Sequence, residues 1–145
     1  MKFIPTSLVI ISIFAVGAAY AQQQKQQKDI IKSTHTFTGK VTGFEVGDYQ
    51  HVTLVDSKGK TRSYFLGADC IDYYCAINAK KTGTFTYQVV DTYIPEAGGR
   101  TTIEHLSNAK VGKVDYKTWW KAELKKMSRE KLEAKYGPLV QKLTK

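Results

Sequence analysis

The sequence predicts a mainly β domain, a small five-stranded barrel carrying a C-terminal α-helical extension. Three observations lead there. Between residues 34 and 112, apolar and polar residues alternate in short runs separated by glycine-bearing clusters, which is the signature of half-buried strands joined by tight turns. From residue 113 the apolar spacing changes to three and four, which is helical. The 145 residues are 42% hydrophobic and 24% charged, enough to build a core and unlike a disordered or low-complexity chain.

The chain opens on an address rather than on structure. Residues 1–21 combine Lys2, an apolar run over residues 8–16 broken by Ser12, and the small-x-small site Ala19-Tyr20-Ala21. This is the form of a secretory signal peptide cleaved near Ala21. The run is short for a membrane span, which needs roughly 20 apolar residues. The expected location is therefore periplasmic or secreted. Residues 22–33, rich in Gln and Lys, read as a flexible leader.

The first strand is expected over residues 36–46. Phe37 and Val41 share one alternation phase, Phe44 and Val46 the other, and the slip falls at Gly43, as at a bulge. Gly47-Asp48 supplies a turn. A second strand over 50–56 and a third over 61–66 flank Ser57-Lys58-Gly59-Lys60, a hairpin loop. A short helix or turn is expected within 71–80. A fourth strand runs from Gly83 to about Ile94. Pro95-Glu96-Ala97-Gly98-Gly99 makes the second hairpin loop, and the fifth strand starts at Arg100. Beyond Asp115, Tyr116, Trp120, Leu124 and Met127 form one helical stripe, and Leu132, Tyr136, Leu139 and Leu143 another. Ser128 is placed to cap the second helix, and Gly137-Pro138 is expected to kink or break it.

A long bent strand, a hairpin, an irregular connection and a second hairpin make an order that resembles the OB-fold, a five-stranded Greek-key barrel. On strand order and glycine placement, residues 34–112 resemble exported bacterial OB-fold proteins. The domain reading is a signal peptide over 1–21, a leader over 22–33, an OB-fold-like barrel over 34–112 and a basic amphipathic helical extension over 113–145. Such folds bind oligonucleotides or oligosaccharides on a face around strands two and three, where aromatic rings stack and basic residues meet anionic groups. The resemblance implies ligand-binding candidates at Tyr49, His51, Lys58, Lys60, Arg62, Tyr64, Tyr73 and Tyr74. The bland reading of the same tyrosines, of which the chain has nine, is that they plug the core.

The formal net charge of +9 favours anionic partners. In an exported protein these are an envelope glycan, an acidic protein or a lipid headgroup, and intracellular nucleic acid is set aside. The C-terminal helix offers a second contact surface through Trp119, Lys121 and Lys125, since a basic helix with Trp can lie on an anionic membrane or dock a partner. Its competing reading is that the stripe packs on the barrel and the lysines stay in water.

Cys70 and Cys75 are the only cysteines. In an oxidising compartment such a pair reads as a structural disulfide. Four intervening residues do not suit a redox dithiol, and no nearby His completes a zinc set. His35, His51 and His105 fall on or beside strands with no spacing that makes them converge, so neither a metal nor another cofactor is expected. Gly47-Asp48, Val52 and Phe65-Leu66-Gly67-Ala68-Asp69 resemble the corresponding turn, strand and segment of staphylococcal-nuclease-type proteins. That resemblance implies a metal-dependent nuclease, but Phe65 stands where the family places its catalytic Arg, and Asp72 stands in for its Glu. No catalytic residue carries over, and no Gly-x-Ser-x-Gly, His-Glu-x-x-His or phosphate-binding glycine loop is present. The expectation is an exported, non-catalytic OB-fold binding module for an envelope glycan or protein. A membrane-surface or assembly factor acting through the helix, and a divergent nuclease, are the alternatives.

Overall fold

One 17-residue strand organises the fold. In the computed structural model, which describes residues 28–145, β1 (Ile30–Val46) serves two partners in succession. Its first part pairs antiparallel with β4 (Thr82–Ile94), and its second part, from Gly39 onward, with β2 (Gln50–Asp56). The expected signal peptide, and the leader up to residue 27, lie outside the described residues. The strand begins at Ile30, earlier than the alternation suggested, because pairing with β4 rather than burial defines its first turns. Ile30 and Ile31 are exposed there. The phase slip at Gly43 is a register shift between Val41 and Gly43. Gly39 marks the handover, where a Cβ would stand 2.5 Å from the Val55 carbonyl oxygen.

β2 turns through Gly59, whose φ of +80° suits glycine, into β3 (Thr61–Leu66). α1 (Ile71–Ile77) follows, then β4, a 3-10 turn over Pro95–Ala97, β5 (Gly99–Val111) and the two-residue β6 (Val114–Asp115). The C-terminal part holds α2 (Tyr116–Lys126) and α3 (Arg129–Leu143). The Asp115 carboxylate caps α2 by accepting from the Thr118 amide at 2.8 Å.

The five-stranded OB-fold-like barrel with an appended helix is not what forms. The strands make a six-stranded sheet in the order β3-β2-β1-β4-β5-β6. Its ends meet only at the parallel pairs Phe65↔His105 and Leu66↔Leu106. The backbone ladder between β3 and β5 stops there, leaving Thr61–Tyr64 and Gly99–Glu104 unpaired with each other. Nor are the C-terminal helices an extension. Tyr116, Trp120, Leu132, Tyr136 and Val140 belong to the same buried cluster as Val41, Phe44, Val52, Leu54 and Phe85. The chain end returns to the sheet, with the Lys145 amide donating to the Phe44 carbonyl at 3.1 Å.

Three further expectations are corrected, in whole or in part. α3 runs unbroken through Gly137-Pro138, because Leu132 and Tyr136 before the proline and Val140 after it are all buried on one face. The expected stripes hold at Tyr116, Trp120, Leu132 and Tyr136, which are buried, and differ at one position on each helix. Glu123 and Val140 turn inward, while Leu124 and Leu139 are exposed at 42% and 40%. The expected disulfide is absent: Cys70 and Cys75 are free thiols. Cys70 caps the N-terminus of α1 in a left-handed conformation and Cys75 lies inside the helix. Five residues along a helix separate Cα atoms by roughly 8–9 Å, more than the about 7 Å a disulfide tolerates. Cys75 instead fills the core, and Cys70 donates its thiol to Asp69 Oδ1 at 3.3 Å. Burial and the neighbouring Asp69 hold the Cys70 thiol protonated, its pKa pushed up to about 12.

Candidate functional site

A cleft opens between the first half of β1, the β2–β3 hairpin and β4. Its volume is about 210 Å³. β1 contributes His35, Thr36 and Phe37, the β2–β3 hairpin contributes Leu54, Asp56, Lys60, Arg62 and Tyr64, and β4 contributes Tyr87. Strand alternation explains the set. Phe37 and His35 are two apart on β1, and His35 is paired across the ladder with Tyr87. Leu54 is paired with Arg62, two residues before Tyr64.

The floor is aromatic. Phe37 and Tyr64 stack with centroids 5.8 Å apart, Tyr64 and Tyr87 are 4.9 Å apart, and His35 lies on Tyr87 at 5.0 Å. The mouth is cationic. Arg62 sits close to the Tyr64 hydroxyl and within 3.9 Å of Glu104 across the gap, an ion pair exposed at both ends. Burial raises the pKa of Tyr64, which stays a neutral phenol. Asp56 is the one carboxylate lining the cleft, and it is committed locally. Its Oδ1 accepts the backbone amides of Lys58 and Lys60, both at 2.9 Å, and these bonds hold its pKa below the ordinary carboxylate value.

The sequence-derived ligand residues therefore divide among several places. Lys60, Arg62 and Tyr64 line this cleft. Lys58 is exposed in the hairpin turn. Tyr49 and His51 lie on the other side of the sheet, against Phe65, at 6.0 and 4.2 Å between ring centroids. There a second, more open slot of about 310 Å³ runs between the β1–β2 turn and the β4–β5 hairpin, and the Tyr49 hydroxyl donates to Glu96 at 2.5 Å. Tyr73 and Tyr74 are packing residues of α1. The Tyr74 hydroxyl donates to the Val114 carbonyl at 2.5 Å and accepts the Val111 amide at 2.9 Å, while Tyr73 packs against Trp120 and Tyr136.

Sequence reasoning missed His35, Phe37, Leu54, Asp56 and Tyr87 as site residues. His35 and Tyr87 enter through the β1–β4 register, which no local spacing reports, and Leu54 and Asp56 come from the hairpin that also carries Lys60, Arg62 and Tyr64. Of the candidate partner-contact residues, Lys121 and Lys125 are exposed, but Trp119 is occupied. Its ring meets Tyr74, Trp120 and Tyr136 at 5.6, 6.0 and 5.4 Å.

The nuclease-like residues do not assemble. Asp48 lines the second slot, whereas Asp69, before α1, forms an ion pair with Arg129. The histidines are likewise dispersed: His35 in the cleft, His51 on Phe65, and His105 bonded through Nε2 to Gln88 Oε1 at 2.9 Å. Among the described residues no group of three His, Cys, Asp or Glu side chains is placed to hold a metal ion, and no helix is long and apolar enough to cross a membrane. No family model, curated protein or solved structure matches the chain. With the OB-fold barrel set aside, the binding module built on it falls too. The reading through a membrane-facing Trp119 and the nuclease reading are likewise not carried forward.

Proposed function

We propose that the protein binds a small organic molecule in the cleft between the first half of β1, the β2–β3 hairpin and Tyr87. One observation carries the reading: an aromatic floor and two cationic side chains meet in a single concavity that the protein's own side chains leave unfilled. Binding sites for small molecules combine an apolar surface with a few polar groups that fix orientation, and this cleft has both. Its walls belong to paired strands rather than to long loops, so the site is preorganised. Export remains part of the proposal on the form of residues 1–21, and an intact-mass measurement on protein recovered from its native cell would find Gln22 at the N-terminus.

The test is an amide-resolved NMR titration of the full chain with small aromatic compounds that include neutral, anionic and cationic members. Saturable shifts at His35, Phe37, Arg62 and Tyr87 are expected. They should be lost in Arg62→Ala and kept in Lys121→Ala, which alters an exposed lysine of α2. Saturable shifts confined to Tyr49, Phe65 and Ile103 would move the site to the second slot and overturn the proposal.

A further inference from the structure

We propose, resting on the reading above, that the ligand is a flat aromatic monoanion whose carboxylate takes Arg62 away from Glu104. The cleft is amphiphilic in one direction. Its deep side is made of the Phe37, Tyr64 and Tyr87 rings, and its rim carries Lys60 and Arg62. A planar apolar body suits the first, and an anion suits the second. A guanidinium presents parallel donors that match a carboxylate in two-point contact. Arg62 does not have such a contact at present: its Nη1 is 3.9 Å from Glu104 Oε2, beyond hydrogen-bond length, with both side chains about two-fifths exposed. A loose, solvated pair of this kind is readily exchanged for a better-placed anion.

An aromatic cation fits less well. The one carboxylate lining the cleft, Asp56, already accepts two backbone amides, and the two basic side chains at the rim outnumber it. An inorganic anion would reach the rim but leave the aromatic floor uncovered. Glu104 thus acts as a resident competitor. It neutralises Arg62 across the gap between β3 and β5 when the cleft is empty, and it sets how strongly a ligand's carboxylate must bind to enter.

The experiment is calorimetric titration of the full chain, as wild type, Glu104→Gln and Arg62→Gln, with three probes of one shape: 2-naphthoate, 2-naphthamide and 2-naphthylmethylamine. The naphthoate is expected to bind wild type at least tenfold more tightly than the amide. Glu104→Gln should tighten the naphthoate severalfold and leave the amide unchanged, and Arg62→Gln should remove the preference between them. Amide or amine binding as tightly as naphthoate, with NMR shifts in the cleft, would overturn the anion assignment and leave the cleft reading standing. Naphthoate affinity unchanged or weakened in Glu104→Gln would overturn the role of Glu104. Failure of all three probes to bind wild type would remove the cleft reading, and this inference with it.

Discussion

Glu123 is the one buried charged side chain among the described residues, and its surroundings explain how α2 and α3 are held together. Its Oε2 accepts the Tyr136 hydroxyl at 2.7 Å, and Lys126 and Lys135 approach at 3.0 and 3.7 Å from the solvent side. These partners, the tyrosine first, hold its pKa below the ordinary value. A buried acceptor that keeps its charge depends on its donors. Tyr136→Phe removes one donor while keeping the ring, and should cost about 1.5–3 kcal/mol, the range for a hydrogen bond to a charged group. Urea unfolding of the two proteins measures this, and equal midpoints would show that water replaces the phenol. His105 gives a pH effect of opposite origin. Burial lowers its pKa in the fold, so the unfolded chain takes up a proton first as pH falls. Its contribution is intact above the ordinary value of about 6.5 and is lost as pH drops through and below it. His105→Gln should lose less stability than wild type between pH 7 and pH 5 in the same unfolding assay.

Elements were legible in the sequence where one local rule set them. The hairpin at Ser57-Lys58-Gly59-Lys60 and the bulge at Gly43 lie where turn and glycine chemistry place them, and α3 starts after Ser128 as expected, although the Ser128 hydroxyl accepts no capping bond. Of the residues the sequence singled out around this hairpin, Lys60, Arg62 and Tyr64 line the cleft, whereas Tyr49 and His51 do not. His35 and Tyr87 were not singled out, because they are far apart in sequence and only the β1–β4 register brings them together. The helical stripes were legible except at one position each. Hydrophobicity favoured Leu124 and Leu139, but at that turn of α2 the buried position is Glu123, which Tyr136 supplies with a partner, and in α3 it is Val140. Pro138 shows a local rule overridden by packing. It lacks the amide that a helix interior needs, and its ring crowds the preceding turn, yet burial of Tyr136 and Val140 carries α3 past it. Pro138 is itself exposed, so Pro138→Ala should restore the backbone bond without touching the core. The expected gain is about 1–2 kcal/mol, less than the full interior cost of ~3 kcal/mol because the unfolded chain also gains freedom. A lowered melting temperature would mean that the packing of α3 requires the bend the proline imposes.

At the scale of the whole molecule, the sheet and the C-terminal helices share one core, and neither is complete alone. The sheet offers Val41, Phe44, Val52 and Leu54 to that core, and the helices answer with Tyr116, Trp120, Leu132, Tyr136 and Val140. The joint is tied by polar contacts as well. The Tyr116 hydroxyl donates to the Asp69 carbonyl, Arg129 pairs with the Asp69 carboxylate, and the chain end bonds to Phe44. Removing residues 116–145 would expose the apolar side of α1 and the part of β1 around Val41 and Phe44 that these helices cover. Each large side chain taken from such a contact costs about 2–5 kcal/mol, and a domain of this size is stable by only about 5–15 kcal/mol in total. The truncated chain should therefore lose cooperative unfolding. Near-ultraviolet circular dichroism would lose its aromatic signal beyond what the two missing tryptophans account for, and thermal melting would flatten. A truncated protein that melted in a sharp transition near the full-length temperature would show that the sheet closes its own core, and that the helices are an appendage after all.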